Sequence, residues 1–157
     1  MAASADQERI RFIIVDEDIR AFCGGGADVM RPYFHPAFVD YDARNQYNPL
    51  TWRVRFASAD AYLQAFDGWA RSTAGRKLKE YKSAEEFVRK ATILAAEDVQ
   101  ITGNCAIAAK RFSGEAADER TGKPIAWHKT VVYLMRKIDG DWKVTGMISN
   151  LPPPESP

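Results

Sequence analysis

Cysteine and histidine are scarce in this sequence, with two of each among 157 residues. Cys23 and Cys105 stand far apart and match no metal-ligating or redox spacing, so two free thiols of a cytoplasmic protein are the expectation. His35 and His128 are equally separated and lack a matched carboxylate spacing, which argues against a metal site. Charge of one sign is missing too: 22 lysines and arginines against 21 acids leave a net charge of +1. That excludes the broad basic field of a nucleic-acid binder. No apolar stretch reaches the roughly eighteen residues of a membrane span. The beginning of the chain carries Ser4, Asp6 and Glu8 before any apolar run, unlike a signal peptide. Gly24-Gly25-Gly26 lacks the spacing of either phosphate-binding loop and reads as a helix stop. No internal repeat is visible. What is present is an ordinary globular composition, 46% apolar and 27% charged, at a length that suits one domain.

Residues 6 to 23 carry a helical stripe, Phe12, Val15, Ile19 and Phe22, with Arg9, Asp16, Glu17 and Arg20 off it. A short second helix is expected over 27–34, then a strand over 37–42. Residues 45–55 read as a loop or weak strand. Ser58 caps a third helix, with Asp60 in its first turn and Tyr62, Phe66 and Trp69 on one face. Ser83-Ala84-Glu85-Glu86 fits a capping box, yet the residues from Val88 to Ile101 also suit a strand. A strand beginning near Val88 is the expectation. Gly103-Asn104 and Asp139-Gly140 are hairpin turns, delimiting strands over 105–112, 125–138 and 142–150. The domain spans 1–151, and 152–157 form an extended proline-rich tail.

Helices first and an antiparallel meander last give an α+β protein rather than a βαβ one. Val131-Val132-Tyr133-Leu134-Met135 is apolar on both strand parities, so both faces of the sheet are covered there. Helices cover one face. A second copy of the chain is the simplest cover for the other, which predicts a homodimer contacting through residues 125–135; cover by the chain's own loops is the alternative.

The order of elements and the ending Tyr133-Leu134-Met135-Arg136-Lys137-Ile138-Asp139-Gly140-Asp141-Trp142-Lys143-Val144 resemble the nuclear-transport-factor-2-like superfamily. That superfamily includes SnoaL-like polyketide cyclases, ketosteroid isomerase and scytalone dehydratase. The resemblance covers nearly the whole chain and implies a cone-shaped, curved antiparallel sheet with about three helices enclosing a pocket. Its most specific part, the Lys137–Lys143 hairpin, is closest to scytalone dehydratase and carries no chemistry. Val39-Asp40-Tyr41 is similar to the strand that supplies a catalytic tyrosine there and a general base in the isomerase. The departures are larger. The dehydratase's helical Tyr-Asp pair falls on Ala21-Phe22, its histidines near Lys90 and Glu115, and its polar strand residues on Lys129 and Val131. The isomerase's oxyanion-hole acid falls near Leu134. Neither reaction is carried over.

Asp40-Tyr41-Asp42 is the leading candidate for acid/base chemistry, if one carboxylate is desolvated. Alternation puts both aspartates on one face and Tyr41 on the other, so a packed Tyr41 with solvated aspartates is the competing reading. His128 can shuttle protons near neutral pH, although a lone histidine is more often structural. His128 and Lys129 exclude one another as inward residues, and His128 is the one chosen. Tyr41, Tyr47, Trp52, Tyr62, Phe66 and Trp69 could line a cavity for a flat apolar ligand, with Arg53, Arg55 and Arg111 available to an acidic group. The expected site therefore has Tyr41, Asp42 and His128 as catalytic groups and Asp40, Tyr47, Trp52, Tyr62, Phe66 and Trp69 around the ligand. The expected activity is that of a cofactor-independent lyase, isomerase or cyclase on a hydrophobic cyclic molecule. The alternatives are a non-catalytic ligand-binding or dimerisation domain, and an accessory subunit of an oxygenase.

Overall fold

The computed structural model describes residues 2–153. Helix α1 runs over 5–25 and is not uniform, with π-helical turns at Phe12–Glu17 and Ala21–Gly25. Its start is fixed by a capping box: Ser4 Oγ accepts from the Gln7 amide at 3.1 Å, and Gln7 Oε1 accepts from the Ser4 amide at 2.9 Å. The π-turns widen the helix and rotate its apolar stripe. Ile10, Ile13, Ile14, Val15 and Ile19 are buried, while Phe12, expected on the stripe, is 40% exposed beneath Arg9. α2 (Ala27–Met30) and a 3₁₀ turn (Arg31–Tyr33) lead into β1 (Phe34–Asp42), which begins where the second helix was expected still to run.

β2 (Arg53–Phe56) is followed by α3 (Ala59–Thr73), capped by Ser58 Oγ on the Ala61 amide at 3.1 Å. Residues 84–91 are helical. The Ser83 cap accepts from the Glu86 amide at 3.1 Å, and the Glu86 carboxylate accepts from the Lys82 amide at 2.8 Å, so α4 (Ala84–Ala91) starts at the capping box and runs on past Val88, where a strand was expected to begin. The capping signal outweighs the β-branched run behind it, because Phe87, Val88 and Ala91 then share one buried face. α4 lies close against the sheet because Gly114 has no side chain; a Cβ there would meet Ala91 Cβ at 2.8 Å.

β3 (Thr92–Ile93), β4 (Val99–Thr102), β5 (Cys105–Ala117), β6 (Pro124–Ile138) and β7 (Asp141–Leu151) complete the chain. The sheet order is β2-β1-β7-β6-β5-β3, with β4 also paired to β5. The Asp139-Gly140 turn has φ of 52° and 83°, the left-handed pair that a two-residue hairpin requires. One pairing departs from the expected antiparallel meander: β1 runs parallel to β7, so the sheet is mixed. Hairpins force antiparallel neighbours, but β1 and β7 are joined through helices and most of the chain, which leaves their relative direction free. The sheet is curved and open, and α1, α3 and α4 lie across its concave side. The expected tail beyond residue 153 lies outside the described residues. Among the described residues no helix is long and apolar enough to cross a membrane.

Candidate functional site

The strand alternation decides what enters the space between helices and sheet. On β5, Ala106, Ala108, Lys110 and Phe112 are buried and turn inward. On β6, Trp127, Lys129, Val131 and Tyr133 share the inward face, and on β7 Met147 and Ser149 do. Lys110 and Phe112 of β5 and these residues of β6 and β7, together with Asp18 and Phe22 of α1, Tyr62, Phe66 and Trp69 of α3, Val88 of α4 and Arg55 of β2, enclose a cavity of about 350 Å³. That is the size of a small ring-bearing molecule's site.

Aromatic rings form much of its wall. Trp127 packs on Phe22 at 5.6 Å and on Phe112 at 5.5 Å between ring centres. Trp69 stands edge-on to Tyr62 at 6.0 Å and to Phe66 at 6.3 Å. Such rings offer flat apolar faces at small entropic cost.

The polar groups come as two paired systems and one single cation. Lys110, only 1% exposed, donates to the Ile14 carbonyl at 2.6 Å and to Asp18 Oδ2 at 2.9 Å. Ile14 lies inside the first π-turn of α1, which is where the helix presents that carbonyl to the sheet. Asp40 is fully buried behind the cavity wall, with Arg55 Nε on its Oδ2 at 2.7 Å and Ser149 Oγ on its Oδ1 at 2.7 Å. Burial pushes the Asp40 carboxyl up, against the pull of Ser149 and Arg55. Lys129 has neither a hydrogen-bond acceptor nor an ion-pair partner among the described residues; its ammonium lies 5.8 Å from the centre of the Phe112 ring. Burial holds it below the ordinary lysine value, and Arg55 and Lys110 push the same way. Burial also raises the Tyr62 and Tyr133 phenols well above theirs.

The residues expected from sequence divide sharply. Tyr62, Phe66 and Trp69 line the cavity, and Asp40 stands behind it. The three expected catalytic groups do not line it. Tyr41 is 41% exposed on the outer face of β1. Asp42 turns to the sheet's end, where its Oδ1 accepts from the Arg44 amide at 2.9 Å and from Asn150 at 3.1 Å. Burial opposes ionisation of Asp42, but these bonds and nearby Arg55 hold its carboxyl below the usual range. His128 points outward to Glu115, with Nε2 3.3 Å from Oε1. Tyr47 is 63% exposed, and Trp52 donates its indole N–H to the Gln46 carbonyl in the loop before β2. The chosen strand parity of β6 is thus corrected: Lys129, not His128, is the inward residue. Ile125 and Trp127 share Lys129's parity, and the larger apolar residues of that pair carried the signal. Asp18 and Lys110 were not singled out at all. Lys110 shares its parity with Ala106, Ala108 and Phe112, a lysine in an otherwise apolar inward row.

Among the described residues no group of three or more histidines, cysteines and acids stands together as a metal site would require. Neither a family model nor a curated protein sequence matches the chain. Solved structures do match. A nuclear-transport-factor-2-like (NTF2-like) protein from Pseudomonas putida shares 15% identity at a TM-score of 0.58, over 96% of this chain and 90% of that one. A ketosteroid isomerase-like protein from Erwinia carotovora shares 14% at a TM-score of 0.58, over 93% and 95%. A domain with a cystatin-like fold from Nostoc punctiforme shares 12% at a TM-score of 0.62, over 95% and 78%. At such identities the likeness is one of architecture, and together with the helix-backed curved sheet it establishes that this chain has the NTF2-like fold.

Proposed function

We propose that the protein is a cofactor-independent lyase, isomerase or cyclase acting on a hydrophobic cyclic molecule held in this cavity. The observation that carries the reading is the cavity itself, whose lining brings aromatic rings together with an acid and a lysine that has no partner among the described residues. Asp18 is the base in this scheme. Its Oδ2 is tied to Lys110, which fixes the carboxylate's orientation, and its Oδ1 has no hydrogen-bond partner among the described residues. A proton leaving a carbon of the bound molecule passes to Asp18, and the electron pair moves onto an oxygen. Lys129 stabilises the negative charge developing there, the oxygen belonging to or adjoining the group of the bound molecule that this ammonium faces. Return of the proton at another carbon, or loss of a leaving group, completes an isomerisation or an elimination. The likeness to a ketosteroid isomerase-like protein supports the architecture of this reading and none of its residues.

A non-catalytic binder is the second reading, and one observation favours it: both carboxylates near the cavity are already engaged by cations. The two are separated by hydrogen exchange. Trp69 and Trp127 line the cavity, so their fluorescence reports binding of a panel of cyclic ketones and ring-bearing keto acids. Bound ketones are then followed by NMR in deuterated water. Exchange at the carbon beside the carbonyl, abolished by Asp18→Asn, supports the enzyme. Binding without exchange supports the binder, and no binding of any panel member removes both.

The apolar outer face supports a homodimer as the working assembly. Ile107, Leu134, Tyr41 and Val54 are all at least 36% exposed on β5, β6, β1 and β2. Of the expected contact run, Val131, Tyr133 and Met135 face the core, and Val132 and Leu134 face outward.

A further inference from the structure

We propose that the cavity selects a monoanion, specifically a ring-bearing carboxylate whose carboxyl group sits against Lys129. The inference rests on reading the cavity as a small-molecule site and adds the charge of its occupant. It follows from the balance of charges. Three cations line the cavity: Arg55, Lys110 and Lys129. Two carboxylates answer them. Asp18 takes Lys110 at 2.9 Å, and Asp40 takes Arg55 at 2.7 Å. Lys129 is left without an anion among the described residues, so the cavity carries one uncompensated positive charge.

An ammonium in such a place is solvated by water as long as the cavity holds water. A neutral apolar ligand would expel that water and leave the charge with only the Phe112 face, 5.8 Å from the ring centre. Stripping a charged group of its hydration without a replacement partner is strongly unfavourable. A carboxylate replaces the lost water with a charge-assisted hydrogen bond and closes the charge balance. A dianion would overshoot: Arg55 already donates to Asp40 and reaches Ser149, and Lys110 is committed to Asp18 and Ile14. Its second negative charge would stand unpaired among aromatic rings. The remainder of the ligand is set by the wall. Phe22, Phe66, Trp69, Phe112 and Trp127 present ring faces and edges, which suit a flat or alicyclic ring rather than a polar chain.

The test uses 2-naphthoate and its uncharged isostere 2-naphthamide, titrated by calorimetry into the wild-type chain and into Lys129→Met and Lys129→Arg. The expected result is that naphthoate binds the wild type at least about tenfold more tightly than the amide, the scale of one charged hydrogen bond. Lys129→Met should erase that preference while keeping its affinity for the amide, which also shows that the variant is folded. Lys129→Arg should retain the preference, and naphthalene-2,6-dicarboxylate should bind the wild type more weakly than the monoanion. Equal binding of naphthoate and amide overturns the inference, as does a preference that survives Lys129→Met. Equal binding that is lost in Trp127→Ala overturns the charge inference alone and leaves the small-molecule cavity standing. Failure of both probes and of neutral 2-naphthol to bind overturns the charge inference and the cavity reading together.

Discussion

Arg55 reaches across from β2 to place its Nε 2.7 Å from Oδ2 of Asp40, a carboxylate with no exposure to solvent. The arginine keeps 28% of its side chain exposed, so the pair is asymmetric: the cation has water, and the anion has only Arg55 and Ser149. Arg55→Met should therefore cost about 2–3 kcal/mol at pH 7, toward the low side of a broken buried pair because Ser149 keeps its bond. The carboxyl's pKa is already raised by burial. Losing the cation raises it further, and the folded state then holds a proton that the unfolded chain releases. Stability of the variant falls as pH rises through that range, so urea unfolding should show a smaller loss at pH 4 than at pH 7. An equal loss at both values would show that Asp40 is not the group left stranded.

Lys129 should cost the empty protein stability. Its folded pKa lies below the ordinary 10.5, so the unfolded chain binds the proton more tightly than the folded one. Stability contributed by this group rises with pH toward 10.5 and is reduced below it. Lys129→Met should accordingly stabilise the ligand-free protein at neutral pH by roughly 1 kcal/mol, as removal of a functional charge commonly does. A lower melting temperature for the variant would contradict this.

Trp142 closes the β6–β7 hairpin against α1. Its ring is fully buried, and its indole N–H donates to Asp6 Oδ1 at 2.9 Å. Trp142→Ala should lose about 3–5 kcal/mol in chemical denaturation. Trp142→Phe should lose less, since it keeps most of the ring volume and forfeits the Asp6 bond. A loss below about 1 kcal/mol for the alanine variant would mean that the hairpin repacks around the gap.

His128 lies outside the cavity, on the sheet's outer face with Glu115. His128→Ala should leave the affinity for any cavity ligand within about twofold, well under the factor of ten that a lost 1.4 kcal/mol contact would give. A larger loss in titration calorimetry would return His128 to the site.

The outer face predicts self-association. Sedimentation at micromolar concentration should show a dimer, and Ile107→Glu with Leu134→Glu should shift it to monomer without a change in circular dichroism. A wild-type monomer would show that the exposed apolar stripe is tolerated alone.

Much of the architecture was legible from local chemistry. Ser58 marks a helix start because its hydroxyl satisfies an amide that a helix leaves free, and Asp139-Gly140 marks a hairpin because its backbone must enter positive φ; the capping box at Ser83 carried the same signal, although a strand from Val88 was expected to follow it. The aromatic face of α3 followed from helical spacing alone, and Tyr62, Phe66 and Trp69 do line the cavity. The polar end of the site was not legible in the same way. Its residues come from α1, β1, β2, β5, β6 and β7, and the pairs Asp18–Lys110 and Asp40–Arg55 join positions 92 and 15 residues apart. Strand phase decided the rest. In a strand apolar on both parities, as over Val131–Met135, the pattern gives no inside or outside, and a shift of one residue exchanges Lys129 for His128. The phase is set by the partner strands: Lys129 lies opposite Phe112 and Val131 opposite Lys110, and burial of Phe112 against the helices carries Lys129 inward with it. The chain's own sequence thus determined the start of α3, the Asp139-Gly140 turn and the α3 part of the aromatic wall, because each depends on neighbours within a few positions; α4 and the Phe22, Phe112 and Trp127 rings were settled by packing. Which charges face one another across the cavity, and which one is left without a partner, was decided only when sheet register brought distant strands together.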